Sequence, residues 1–276
     1  MFNNKKILVT GCGSLGRELI IQLLQDGARV TGLDNSELAF SKLEECCRKT
    51  DRLNFILADV TNYCDVEDAC ESVDHVIHTI AKKYINYVEN SPQIAIDTNI
   101  GGTMNVIKAC FKSQSVEKML NVSTDKACNA VSTYGLTKAV AERLISWANR
   151  KGTKMFSTIR YPNFQPSDGS CFSIWQRQKE DGSPITVTDP EMTRWFMPIK
   201  EAAALAIQAL ELAGGGEIFV PASAKKCKMM DLAKEYGNEF VFIGKRPGER
   251  LHEELMTEDE SKMATRISDD LWRIIP

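Results

Sequence analysis

Tyr134 and Lys138 stand four residues apart at the start of a stretch with helical spacing, so they share one helix face. A lysine close to a tyrosine favours the phenolate, which makes the phenol a usable proton-transfer group near neutral pH. The same ammonium can hold the ribose of a nicotinamide nucleotide. Just upstream, directly after an apolar run that reads as the fifth strand, Ser123-Thr124-Asp125-Lys126 is the densest polar cluster of the chain. An isolated Tyr-x-x-x-Lys is common in helices by chance, and Asp125-Lys126 taken alone equally reads as a solvated turn pair. What gives both groups weight is the sequence that precedes them.

Thr10-Gly11-Cys12-Gly13-Ser14-Leu15-Gly16 follows a first strand and opens a first helix, the context that a G-x-G-x-x-G dinucleotide fingerprint requires. Glycines there permit a tight turn and let helix-terminal N–H groups approach a pyrophosphate. Asp34 closes the second strand about 20 residues later, where a carboxylate can accept hydrogen bonds from ribose hydroxyls and would repel a 2′-phosphate. The expected cofactor is therefore NAD rather than NADP. Asp59, closing the third strand, is placed to contact adenine; Asp34 and Asp59 also read as turn residues or caps. The expected cofactor cradle comprises Gly11, Gly13, Ser14, Leu15, Gly16, Asp34, Asp59, Val60 and Ala81, joined by Tyr134 and Lys138.

The elements that must position these residues are legible as apolar runs at Ile7-Val9, Arg29-Leu33, Asn54-Leu57, His75-Ile80, Lys118-Val122, Phe156-Arg160 and Glu217-Val220. Between them lie helical stretches. Leu15, Leu19, Leu23 and Leu24 fall on one face, and Ile94, Thr98, Gly101, Asn105 and Lys108 on a face of a second helix whose neighbours Ile100, Met104 and Ile107 are apolar. The alternation predicts an α/β fold, a doubly wound parallel Rossmann sheet over residues 1–161. Residues 162–276 are expected to supply a small, loop-rich substrate-binding cap and carboxyl-terminal segments interleaved with that core. Pro162, Pro166, Gly169, Gly182, Pro184 and Pro190 punctuate the start of this region. Gly214-Gly215-Gly216 reads as a helix C-cap and turn rather than a phosphate loop. His75 and His78 read as core packing.

With 34 basic and 37 acidic residues the formal net charge is -3, which argues against general attraction to nucleic acid or an anionic membrane. Nine cysteines without a C-x-x-C pair support neither a zinc site nor a disulfide framework, so no metal is expected and a reducing cytoplasm fits. The early first strand leaves no room for a signal peptide, and no apolar run reaches the length of a membrane span.

At this point the chain resembles the UDP-N-acetylglucosamine 4,6-dehydratases of polysaccharide and flagellar-sugar biosynthesis, within the extended short-chain dehydrogenases. The resemblance is carried by Asn121-Val-Ser-Thr-Asp-Lys-Ala127, Arg160-Tyr-Pro-Asn163, Ile185-Thr-Val-Thr-Asp-Pro-Glu-Met-Thr-Arg194 and Arg246-Pro-Gly-Glu-Arg-Leu-His-Glu-Glu-Leu255. Ser-Thr-Asp-Lys together with Asp-Pro-x-Met-Thr-Arg is specific for this group. The resemblance implies a UDP-sugar substrate and a homo-oligomer, with Lys126 as base, Asp125 as acid, Thr124 and Tyr134 near carbon 4 of the sugar, and Lys138 on the cofactor. It further implies substrate contacts from Lys83, Asn163, Arg194 and Arg250. Lys83 equally reads as a solvated loop charge, and both arginines as surface salt-bridge partners.

Three departures stand out. The glycine loop is one residue shorter than the family's G-x-x-G-x-x-G, Pro162 replaces an expected glycine, and the chain is shorter than typical relatives. Tyr134 stands where the membrane-anchored branch often carries methionine, which points to the soluble branch that inverts carbon 5. The rival readings are a UDP-hexose 4-epimerase, which shares the oxidation at carbon 4, and a non-catalytic NAD-binding regulatory protein.

Overall fold

The computed structural model describes residues 2–47, 50–165 and 170–276. Its strands are β1 (Lys6–Thr10), β2 (Arg29–Asp34), β3 (Leu53–Leu57), β4 (His75–His78), β5 (Lys118–Thr124), β6 (Met155–Tyr161), β7 (Asn163–Gln165), β8 (Ile185–Val187), β9 (Thr193–Pro198), β10 (Ile218–Pro221), β11 (Lys225–Lys228), β12 (Phe240–Phe242), β13 (Thr265–Arg266) and β14 (Leu271–Ile274). Its α-helices are α1 (Ser14–Gln25), α2 (Glu37–Cys46), α3 (Tyr63–Cys70), α4 (Ile85–Asn90), α5 (Pro92–Ala95), α6 (Thr103–Lys112), α7 (Thr133–Lys151), α8 (Cys171–Glu180), α9 (Ile199–Leu212), α10 (Met229–Ala233) and α11 (Glu258–Met263).

Nine strands form one sheet in the order β13-β14-β10-β6-β5-β4-β1-β2-β3. From β10 to β3 every pairing is parallel; β14 joins β10 antiparallel and β13 joins β14 the same way. The order 3-2-1-4-5-6 is that of a doubly wound nucleotide-binding sheet, which places a crevice where the strand order reverses, beyond the carboxyl ends of β1 and β4. Helices cover both faces, so Ile7, Leu8 and Val9 of β1 are all fully buried. On one face α1 buries Leu15, Leu19, Leu23 and Leu24 against the alanine-rich side of α9, including Ala202, Ala203 and Ala206. Each fully buried leucine stabilises the fold by roughly 1.5–3 kcal/mol relative to exposure. The opposite face packs α3, α6 and α7 through Val66, Val106, Ile107 and Ile145 against Phe156.

Three local differences from the sequence expectations have physical causes. The fourth strand stops at His78 instead of Ile80, because Thr79 turns its hydroxyl to the carbonyls of Thr10 and Gly11 and the chain leaves the ladder. The helix expected through Ile94 to Lys108 is broken by a π-helical segment, Ile96–Gly102. Ile94 and Ile96 are exposed while Thr98 and Asn99 are buried. The region after Tyr161 is more regular than its punctuation suggests. It holds a three-stranded sheet, β11-β9-β7, a two-stranded sheet, β12-β8, and α8, whose Phe172 and Trp175 anchor a separate apolar cluster. Pro166 and Gly169 lie outside the described residues. After α9 the turn forms as expected, with Gly215 and Gly216 at positive φ and the Glu217 carboxylate accepting the Gly214 and Gly215 amides; the cap itself is Ala213.

His75 and His78 are both buried. The His78 ring bridges the Thr10 and Thr103 hydroxyls, and burial, aided by the nearby Lys138 charge, holds its imidazole down at about 3, so it is neutral. Among the described residues no helix is long and apolar enough to cross a membrane, and no cluster of His, Cys, Asp or Glu is placed to hold a metal ion.

Arg160 of β6, 2% exposed, joins three distant parts of the chain. Its Nε and Nη2 donate to the Glu142 carboxylate of α7 at 3.1 and 2.7 Å, and Nη1 and Nη2 to Glu260 of α11 at 2.8 and 3.0 Å. Nη1 also donates to the Leu255 carbonyl at 2.9 Å. Removing the guanidinium would leave two carboxylates facing each other in a site largely closed to water. Arg160→Met is therefore expected to cost about 3–5 kcal/mol in urea unfolding, and adding Glu142→Gln and Glu260→Gln to that variant should recover part of the loss.

Candidate active site

The carboxyl ends of β1, β2, β4, β5 and β6 open into a cavity of about 580 Å³. Its far wall is formed by β7, β9 and the segment carrying Arg246, Glu249 and Glu253.

At one end the turn after β1 is built on Gly11, whose φ of +93° is open to glycine at little cost. The following α1 starts at Ser14 with Gly13 in the cap position and no side-chain cap, leaving first-turn N–H groups available at the cavity wall. The shortened loop is accommodated by Cys12. Its side chain is fully buried over Gly32 of β2, where even a Cβ would come within 2.9 Å of the sulfur. Burial, then the Asp34 charge, pushes the Cys12 thiol up to about 12, so it stays protonated. Asp34 Oδ2 accepts the Cys12 amide at 2.7 Å and Oδ1 the Ser36 amide at 3.0 Å, so this carboxylate both shapes the loop and faces the cavity. Asp59 also lines the cavity, and its carboxylate accepts the Thr61 amide and hydroxyl and the Asn35 side chain, which together hold it below the ordinary carboxylate range despite burial. Ser14, Leu15, Gly16, Val60 and Ala81 complete this end. Uncapped amides, an acidic residue at the end of β2 and an elongated open cleft match the shape and donors of a dinucleotide.

At the other end β5 runs into a 3₁₀ turn, Asp125–Ala127, capped by the Thr124 side chain. The start of α7 packs directly on this turn. Gly135 allows the approach, since a Cβ there would meet the Lys126 carbonyl at 2.2 Å. Ser132 caps the helix by accepting the Gly135 amide, and Asn99 of the π-helical segment accepts the Lys82 amide and donates to Thr137, tying the cavity rim to α7. Thr124, Lys126, Tyr134 and Lys138 all line the cavity. Lys126 Nζ donates to Asp125 Oδ1 at 3.0 Å and to Asn163 Oδ1 at 3.4 Å. Asp125 Oδ1 also accepts the Thr124 hydroxyl at 2.9 Å. Asp125 itself is fully buried and is not part of the cavity wall, and its Oδ2 has no hydrogen-bond partner among the described residues.

The electrostatics of the Tyr134–Lys138 pair differ from the simple expectation. Burial raises the Tyr134 phenol well above its usual value, with a hydrogen bond to Thr124 acting against the rise and the Asp125 charge adding to it. Burial lowers the Lys138 ammonium to about 8, opposed by Glu142. In the protein alone, desolvation therefore favours the uncharged form of both groups.

On the substrate side, Lys83, Asn163 and Arg194 line the cavity, whereas Arg250 does not. The Arg250 guanidinium lies 3.7 Å from Glu254 and 3.5 Å from the Cys128 carbonyl. Arg194 is fastened through its guanidinium to the carbonyls of Thr193, Arg250 and Leu251. Arg246, Glu249 and Glu253 reach the cavity instead. Their motif is visible in the sequence, but it has neither helical nor strand period, so nothing in its spacing reveals which side chains face inward.

A family model described as polysaccharide biosynthesis protein matches residues 7–274. A protein of Methanocaldococcus jannaschii named as an uncharacterized membrane protein is 39% identical over 94% of this chain and 82% of its own length. The UDP-N-acetylglucosamine 4,6-dehydratase (inverting) of Campylobacter jejuni is 34% identical, covering 95% of this chain and 80% of its own. A UDP-glucose 4-epimerase of Rickettsia rickettsii is 32% identical, covering 98% and 82%. Among solved structures, Pen from Bacillus thuringiensis superposes with a TM-score of 0.93 at 34% identity, covering 99% of this chain and 88% of that one. The UDP-glucose 4-epimerase of Thermus thermophilus, solved with NAD, shares the fold at a TM-score of 0.80 and 20% identity, covering 91% and 90%. The match along nearly the whole chain, on a sheet and cavity of the nucleotide-sugar dehydratase and epimerase type, places this protein in the polysaccharide biosynthesis protein family of extended short-chain dehydrogenases.

Proposed function

We propose that the protein is a nucleotide-sugar dehydratase that converts UDP-N-acetylglucosamine into a UDP-4-keto-6-deoxy-hexosamine, using NAD. The observation that carries this reading is the Lys126 amine, held on the cavity wall between Asp125 and Asn163 beside the Thr124–Tyr134 pair. Epimerisation at carbon 4 needs a proton acceptor for one hydroxyl. Dehydration needs a second proton-transfer group to take the proton from carbon 5, and the position of Lys126 on the cavity wall supports assigning it that role.

The adenosine ribose is assigned to Asp34, the pyrophosphate to the uncapped amides of α1, and the nicotinamide ribose to Lys138. Bound NAD would supply a hydride acceptor and donor, taking hydride from carbon 4 and returning it at carbon 6, and its positive charge would favour the Tyr134 phenolate. Tyr134, with Thr124, takes the proton of the carbon 4 hydroxyl. The ketone so formed acidifies carbon 5, and Lys126 removes the proton there once it has passed its own to a neighbour; Asp125 Oδ1 is within reach. The hydroxyl leaving carbon 6 also needs a proton. The family resemblance gives that task to Asp125, a residue sealed from the cavity here. Lys83, Asn163, Arg194 and Arg246 are the side chains assigned to the UDP-sugar, the arginines for its phosphates.

Incubation with UDP-N-acetylglucosamine is expected to give a product lighter by one water, with deuterium at carbon 5 when run in deuterated water; a 4-epimer of unchanged mass would replace this reading with the epimerase one. Lys126→Ala should lower the dehydration rate about 100- to 10,000-fold, measured by product mass against time, with NAD content unchanged. Lys138 gives a pH test. Because its folded-state value of about 8 lies below the ordinary 10.5, the penalty for burying its charge is complete below pH 8 and fades as pH rises to the ordinary value. Lys138→Met should therefore stabilise the NAD-free protein by on the order of 2–3 kcal/mol near pH 7, with the gain shrinking above pH 8, while NAD binding weakens.

A further inference from the structure

Lys138 lines the cavity yet is only 2% exposed, and a buried ammonium is costly unless an opposite charge lies near it. One turn further along α7, on the same face, is Glu142, itself buried. Both oxygens of the Glu142 carboxylate accept from Arg160, which also donates to both oxygens of Glu260 on α11. Burial works against the Glu260 charge, but Arg160 and the Thr257 amide hold its carboxyl below the ordinary range, so it is ionised near neutral pH. Two carboxylates thus share a single guanidinium, and one negative charge is left in excess. The Lys138 ammonium cancels it. Lys138, Glu142, Arg160 and Glu260 form a buried line of alternating charge that balances only while the lysine is protonated.

We infer that Glu142 is a positioning residue for the cofactor: pinned by Arg160, it keeps Lys138 in the charged form that can donate to the nicotinamide ribose. The inference rests on the assignment of Lys138 to that ribose, and is the same whether the sugar chemistry is dehydration or epimerisation. The electrostatic setting agrees. Burial lowers the Lys138 ammonium to about 8, and Glu142 is the charge that opposes the fall. The other titratable groups around α7 are engaged differently. His78 of β4 and Tyr134 are uncharged near neutral pH, and Asp125 of the 3₁₀ turn is bonded to Lys126. Glu89 of α4 accepts from Thr133 at the start of α7, and Asp97, Lys108 and Lys112 on the neighbouring helical segments are at the surface. Glu142 is therefore the group whose loss should discharge the lysine, and Glu260 lies beyond it across the guanidinium.

The test is calorimetric titration of the full chain with NAD across a pH range that spans the Lys138 transition, in the parent and in Glu142→Gln, Glu260→Gln and Lys138→Met. In the parent, Kd should rise as pH passes about 8, where Lys138 loses its proton. Glu142→Gln should bring that rise down by about one pH unit or more. Glu260→Gln takes the other carboxylate from the same guanidinium; it should lower the melting temperature comparably but move the rise less than half as far. A purely structural role would move both alike. Where the uncompensated guanidinium prevents folding of Glu142→Gln, the double variant Arg160→Met with Glu142→Gln removes both charges of the pair and should shift the rise in the same direction. Lys138→Met should bind NAD weakly, with no rise in this range. If Lys138→Met weakens binding but the Glu142 variant that folds keeps the parent's profile, or if Glu260→Gln shifts it equally, the role of Glu142 alone is overturned. A Lys138→Met variant that binds NAD as tightly as the parent overturns the assignment of Lys138 to the ribose, and this inference with it.

Discussion

The buried guanidinium of Arg160 is the interaction on which the arrangement of the site depends. A lone cation buried there would be costly, and it is matched by Glu142 from α7 and Glu260 from α11. Those are the elements that matter for chemistry. The start of α7 carries Tyr134 and Lys138, the chain just beyond β6 carries Asn163, and the segment before α11 carries Glu253. One charge thus couples regions separated by about a hundred residues.

Much of this architecture is legible in the amino-acid sequence because parallel strands covered on both faces must be continuously apolar, and seven such runs coincide with seven strands of the main sheet. The Thr124-to-Lys138 constellation is legible for a related reason: its spacing is fixed by a strand end and one helix turn. Other features escape. The π-helical turn at Ile96–Gly102 depends on Asn99 bonding across to Lys82 and Thr137, partners that no local period encodes. Arg250 and Arg246 look interchangeable in a motif without periodicity, and only the fold decides that one meets Glu254 while the other reaches the cavity. The small sheets after Tyr161 are held by a few aromatic anchors, too sparse to stand out against prolines and glycines.

Similarity along the chain does not separate dehydration from epimerisation, since relatives named for each reaction match at nearly equal identity. Under the proposed reading the distinction lies in how many proton-transfer groups reach the cavity. Desolvation leaves Tyr134 and Lys138 reluctant to carry charge in the protein alone. The cleft thus favours a neutral phenol and a neutral amine, and under the proposed reading the positive nicotinamide ring would favour the phenolate.

The contact between the Cys12 sulfur and Gly32 bears on how this sequence can change over time. Cys12 lies in the turn after β1 and Gly32 on β2, and the space between them admits the thiol but no side chain at 32. A larger residue can enter at 32 without a clash only when the side chain at 12 is smaller. Substitutions at 12 and 32 are therefore coupled, since enlarging one without reducing the other produces a clash beneath the turn that lines the cleft.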